Sequence, residues 1–230
     1  MKRFFVAILA ILTISCSDEG SVVDPNKTIN DDFNKSIEGW KWGFADYPEG
    51  VEEEWKFTAK QDTLPEPLDG SKKAFMISGS NHSDDLFMYL TKKVNMPKAN
   101  QSYEGTFEID FATNAAEGSV GVGGSPAHSV YLGIGIVSVE PTKQMSDDGN
   151  YRMNIKKTNQ AADGEDMKVI GDVSNGKEEY EYTLVKRTGK FTGKTDSNGN
   201  LWIIIGTDSG FEAITTLYYT NIKVDLKEVN

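Results

Sequence analysis

Trp40, Trp42, Phe44 and Tyr47 fall within eight residues of one another, and Trp55 comes shortly after. Flat aromatic rings held open on a rigid scaffold stack on the C–H faces of sugar rings, while neighbouring amides and carboxylates meet the hydroxyls. Trp40, Trp42, Tyr47 and Trp55 are therefore candidate ligand-binding residues. Charged neighbours, Lys41 on one side and Glu52 to Glu54 with Lys56 on the other, single out Trp42 and Trp55 for exposure. The competing expectation is plain packing. Residues two apart on a strand, such as Trp40 and Trp42, face the same way and can both fill a core.

A second group is Asn81-His82-Ser83-Asp84-Asp85, set directly before an apolar run. Carboxylates on a turn are hard-cation ligands, and Asn81 or backbone carbonyls can complete an oxygen shell. Asp84 and Asp85 are thus candidate metal ligands, with structural calcium as the ion. The competing expectation is a turn in which Asp84 caps backbone N–H groups. Asp147-Asp148-Gly149-Asn150 and Asp196-Ser197-Asn198-Gly199-Asn200 lack the downstream bidentate glutamate of an EF-hand loop and read as hairpin turns.

The two histidines, His82 and His128, both lie in distinctive segments. With Asn81 they are candidate ligand-binding residues, and converging with Asp84 they would make a transition-metal or acid–base centre. Ser125 and His128 would begin a Ser-His-Asp arrangement, but no nucleophile elbow surrounds Ser125. Glu104, Glu108 and Asp110 could pair for glycoside hydrolysis, yet their strict alternation is what any half-exposed strand shows. Gly121-Val122-Gly123-Gly124-Ser125-Pro126 has no subsequent Gly-Lys-Ser/Thr, so it reads as a bend where backbones approach closely. None of these sets makes a case for catalysis, and a metal-dependent hydrolase ranks last among the readings.

The elements that must position these residues are strands. The chain has 230 residues, 38% hydrophobic and 26% charged, which excludes both a disordered chain and a polytopic membrane protein. A formal net charge of −11 argues against nucleic-acid partners. A single cysteine allows no internal disulfide and no cysteine-built zinc site. From residue 29 onward the apolar period is two. In Tyr103–Phe111, Tyr103, Phe107, Ile109 and Phe111 share one face, with Glu104, Thr106, Glu108 and Asp110 on the other. Similar runs cover 74–78, 86–94, 130–137, 180–185, 201–205 and 216–226. In the last, Tyr218, Ile222, Val224 and Leu226 are expected on one face. Leu86–Leu90 and Leu201–Ile205 are continuously apolar, as strands covered on both faces would be. Turn-rich clusters separate the runs and no stretch carries a helical period, so about ten strands in a single-domain β-sandwich over 29–230 are expected.

Lys2 and Arg3, the apolar run Phe4–Leu12 and then Thr13-Ile14-Ser15-Cys16 form a secretory signal, too short to span a bilayer. The segment resembles a bacterial lipobox of the relaxed Bacteroidetes kind, with Thr13 where leucine is usual. The resemblance implies a signal peptide over 1–15, lipidation of Cys16 and a flexible tether over 16–28. Ser17-Asp18-Glu19 resembles the surface-export signal of such lipoproteins, which implies an outer-membrane anchor facing outward.

Leu201–Phe211 with Thr216–Val224 resembles the closing strand pair of galactose-binding-like jelly rolls, a fold shared by many carbohydrate-binding modules. Four segments (Glu38–Pro48, Asn81–Met88, Gly121–Tyr131, and Asn159-Gln160 with Asp163-Gly164) together resemble an uncharacterised family of secreted bacterial proteins. These resemblances imply an anchored lipoprotein whose jelly roll binds an extracellular glycan or other ligand without catalysis. The alternative is an envelope lipoprotein with protein partners.

Overall fold

The computed structural model describes residues 24–229. The signal, Cys16 and the tether as far as residue 23 lie outside the described residues. Fourteen strands and no helix make up the described residues. They are β1 (Lys27–Asp32), β2 (Trp40–Ala45), β3 (Tyr47–Pro48), β4 (Thr58–Thr63), β5 (Lys73–Ser80), β6 (Leu86–Asn95), β7 (Ser102–Thr113), β8 (Val130–Val137), β9 (Lys143–Met145), β10 (Asn150–Met153), β11 (Lys168–Asp172), β12 (Thr183–Lys194), β13 (Asn200–Ser209) and β14 (Ile214–Val229).

One six-stranded sheet runs β12-β7-β14-β5-β4, with β1 also paired to β14, and a five-stranded sheet runs β11-β8-β13-β6-β2. All their pairings are antiparallel. The inner faces meet over a core that includes Phe75, Leu90, Phe107, Phe111, Ile134, Ile203, Ile205 and Val224. This is a jelly-roll β-sandwich: the runs of period-two strands predicted the sandwich, and the resemblance of the closing strand pair implied the jelly roll. The domain begins slightly earlier than expected, because Lys27 and Thr28 already pair with Leu226 and Asp225.

The outer face of the six-stranded sheet is wet. Glu104 takes Lys190, while Glu108 takes both Lys186 and Lys223, at 2.8–3.0 Å. Such exposed pairs are screened by solvent and add little to stability. These carboxylates are a solvated ladder rather than a hydrolytic pair. The outer face of the five-stranded sheet is instead covered by a third sheet, β3-β10-β9, and by the segment 154–167. Phe87, Tyr89, Ile155, Met167 and Ile204 are buried beneath this cap. That second core is why β6 and β13 are apolar on both faces.

Two expectations need correction. The register of β14 shifts between Tyr219 and Asn221, a bulge that resets the alternation. Leu217 and Tyr219 therefore point inward with Ile222, Val224 and Leu226, and Tyr218 faces outward against Tyr182. The run expected at 180–185 begins only at Thr183 and extends to Lys194, paired throughout with β7. Its inward positions include Gly189 and Gly193. A Cβ on Gly193 would stand 2.1 Å from the Ile136 carbonyl oxygen, so glycine is what lets the two sheets close on this side.

Candidate functional site

Aromatic rings fill the opposite, wider side of the sandwich. Trp40 is buried against Phe33, its indole N–H donating to Asp31 at 2.9 Å. Tyr47 and Trp55 are buried with Phe57 and pack edge-on or tilted against their neighbours. Three of the four predicted stacking residues are thus core, because the gap between the sheet edges needs large side chains. Trp42 alone keeps an open face, 42% exposed, with its ring 5.3 Å from Phe75.

Asn81 is buried as well. Its amide donates to the carbonyls of Ser209 and Phe211 at 2.7 and 3.0 Å, clasping the β13–β14 turn. His82 is exposed, its ring 5.4 Å from that of Trp55 and its Nε2 3.0 Å from Ser80 Oγ. Asp84 adopts a left-handed φ of 59°, and its carbonyl accepts from the Gln160 amide. Asp85 pairs with Arg152, Oδ2 to Nη1, at 2.8 Å. Burial and the nearby Asp46 carboxylate raise the Asp85 pKa against the pull of Lys157 and Arg152. Among the described residues no three His, Cys, Asp or Glu side chains are placed to share a metal, so the centre built from His82, His128 and Asp84 does not assemble.

His128 lies on the β7–β8 loop. Its Nδ1 is 2.7 Å from Asp172 Oδ2, and its Nε2 is 3.1 Å from both the Glu117 carbonyl and a Glu117 carboxylate oxygen. The Asp172 hydrogen bond, reinforced by both carboxylates against partial desolvation, raises the His128 pKa. Ser125 Oγ instead accepts the backbone N–H groups of Ala127 and His128. With both imidazole nitrogens engaged elsewhere, no Ser-His pair forms. The glycine stretch is a close approach, as predicted. Gly123 has φ 71°, and a Cβ there would meet the Gly210 carbonyl at 2.2 Å.

Three of the four distinctive segments meet around the β13–β14 turn. Asn81 N–H donates to Ala213, Gly210 N–H to Ser129 and Glu212 N–H to Val122, while Gln160 reaches Asp84. Their spacing serves the architecture of one end of the sandwich, and that end holds a concave site. A cavity of about 230 Å³ opens between the β7–β8 loop, the β11–β12 connection and the β13–β14 turn. Val120, Pro126, Tyr180 and Ile214 wall it, Val173 and Phe211 lie deeper, and Asn114, Thr113 and Thr216 supply polar atoms. Tyr180 is 66% exposed and Val120 88%.

Tyr180 is held out by its neighbours. Buried Asn175 donates from its side-chain amide to the carbonyls of Glu179 and Glu181, both at 2.9 Å, and accepts the Lys177 N–H at 2.9 Å. Glu117 N–H donates to the Lys177 carbonyl at 2.7 Å, joining this arch to the β7–β8 loop. Tyr180, Ile214 and Val120 are site residues that the sequence pattern does not single out. The available signal was a tyrosine set among acids, Glu178-Glu179-Tyr180-Glu181, at the start of a run read only as a strand.

No family model and no curated protein sequence matches this chain. Solved structures similar to it include the CBM22-1–GH10 modules of the Clostridium thermocellum endo-1,4-beta-D-xylanase 10B complexed with xylohexaose (12% identity, TM-score 0.42, 89% of this chain and 29% of that chain). This chain thus spans under a third of that one. The CBM22-1 xylan-binding domain of Paenibacillus barcinonensis Xyn10C is similar at 11% identity and TM-score 0.42, over 90% of this chain and 98% of that one. TmCBM27, a mannan-recognising carbohydrate-binding module, is similar at 10% identity and TM-score 0.37, over 88% and 98%. These are likenesses of architecture between β-sandwiches; the fold assignment rests on the strand order above.

Proposed function

We propose that this is a lipid-anchored protein of the outer membrane surface whose jelly roll binds a saccharide, without catalysis, in the groove beside Tyr180. One observation carries the reading: an aromatic ring is held open by a buried asparagine clasp beside amide and hydroxyl groups in a concave site. Such a ring offers a stacking face at little cost in conformational entropy, and Asn114 and Thr216 offer partners for hydroxyls. The cavity is smaller than the roughly 300–1,000 Å³ of drug-sized sites, which suits one sugar unit rather than a long chain segment. The anchor belongs to the same proposal on the strength of Cys16 and its preceding apolar run.

The test is a thermal-melt and calorimetric screen of the chain against soluble polysaccharides and their monosaccharides. Ligand at 100 times its Kd adds about 2.7 kcal/mol, or several degrees for a chain of this size. Binding should vanish in Tyr180→Ala and persist in Trp42→Ala. Binding that survives Tyr180→Ala moves the site elsewhere, and the absence of any saccharide response refutes the reading.

A second reading, docking of an envelope protein, is favoured by one feature. Val122 is 69% exposed outside the groove, a position a protein interface would cover and a sugar would not need. A partner recovered from membranes by the wild type and lost in Val122→Asp would support it.

A further inference from the structure

Beneath the cap, away from the groove, Lys157 is enclosed with two carboxylates. Its Nζ lies 2.5 Å from Asp208 Oδ2 and 2.8 Å from Asp46 Oδ2, and it also donates to the Thr158 carbonyl at 2.9 Å. The side chain of Asp208 has no solvent exposure and that of Asp46 almost none. The Phe87 ring sits 4.9 Å from the ammonium. Asp208 Oδ1 is buried with no hydrogen-bond partner at all. Asp46 Oδ2 touches the ammonium outside hydrogen-bond direction.

An ion pair that uses one carboxylate oxygen and strands the other in an apolar wall is poorly compensated for its desolvation. Burial pushes the Asp208 carboxyl up to about 6 against the attraction of Lys157. Burial also pulls the Lys157 amine down, but the two facing carboxylates outweigh it and hold it above the usual lysine value. The pair therefore starts as an ion pair, and one proton transfer within it yields a neutral amine against a neutral carboxylic acid.

We propose that Lys157 and Asp208 condense to an intramolecular isopeptide bond, with Asp46 as the proton relay. The Nζ lone pair adds to Asp208 Cγ and forms the C–N bond. Asp46 accepts a proton from the nitrogen and delivers it to the departing Asp208 oxygen. That C–O bond breaks and water leaves. The balance is ammonium plus carboxylate to amide plus water, with no oxidant or co-reactant. Enclosure supplies proximity, because both groups are held in contact before reaction. Replacing the buried ion pair by a neutral amide removes its desolvation penalty, and Asp46 retains Arg152, 3.3 Å away. The bond would tie the 154–167 segment covalently to β13.

Digestion of the denatured full chain with a lysine-specific protease, then mass spectrometry, reads the outcome directly. The expected result is resistance to cleavage after Lys157 and a branched peptide joining the Lys157 and Asp208 segments, lighter by one water than their sum. Lys157→Arg should give two linear peptides. Asp46→Ala should lose or slow the branch while far-UV circular dichroism stays that of the wild type. Cleavage after Lys157 with an unmodified Asp208 peptide in the wild type overturns the proposal and leaves a buried ion pair. A branch that forms in full in Asp46→Ala overturns the relay.

Discussion

Asn175→Ala tests whether the groove is built by the clasp that presents Tyr180. The substitution removes three hydrogen bonds: two from the side-chain amide to the carbonyls of Glu179 and Glu181, and one accepted from the Lys177 N–H. At about 0.5–1.5 kcal/mol each, the three total about 3 kcal/mol. Lys177 and Glu179 are exposed, so water can replace part of this, whereas Glu181 is half-buried and its carbonyl is harder to rehydrate. The net loss is about 2 kcal/mol, which lowers the Tm by about 4–8 °C in a domain of this size. The backbone bond from Asn175 N–H to the Ala115 carbonyl remains, so the loop keeps its attachment and the fold persists. Amide exchange should accelerate at Lys177 and Glu117, which depend on the arch, and stay slow in β7 and β13. Saccharide affinity should fall because the Tyr180 ring must then be ordered on binding. A melt within a degree of wild type, or unchanged exchange at Glu117, would refute the idea that Asn175 holds the arch.

The same geometry sets three other outcomes. Gly193→Ala places a methyl 2.1 Å from the Ile136 carbonyl, so denaturant unfolding should show a loss of about 1–3 kcal/mol. Phe87→Ala empties a fully buried position under the cap, and the same assay should read about 3–5 kcal/mol. The folded pKa of His128 is raised by Asp172, so its stabilising contribution is complete below the unfolded value of about 6.5 and fades as pH rises through the folded one. An NMR titration should find the His128 pKa above about 6.5 and lower in Asp172→Asn, and a value at or below about 6.5 in the wild type would contradict the His128–Asp172 hydrogen bond.

Which parts of this molecule could be read in advance depends on where its apolar side chains had to go. β7 was legible because its inward residues are large and its outward residues charged, so period two survives along the whole strand. β12 was legible only over 183–185, because two of its later inward positions shrink to Gly189 and Gly193 where the sheets close over it, weakening the contrast that marks a strand. The bulge in β14 is a backbone event with no compositional signature, which is why Tyr218 and Tyr219 exchanged faces.

The site was harder to foresee, for a related reason. Aromatic density marked Trp40, Tyr47 and Trp55, but a sandwich pinched on its glycine side must be filled on the other, and those rings are the filling. Tyr180 and Ile214 become neighbours only through hydrogen bonds between three loops, and Lys157 meets Asp208 across 51 positions of sequence. Local pattern records burial well because burial is imposed strand by strand. Convergence of loops is imposed by closure of the whole sandwich, so the groove and the enclosed lysine become visible only once the strands are in register.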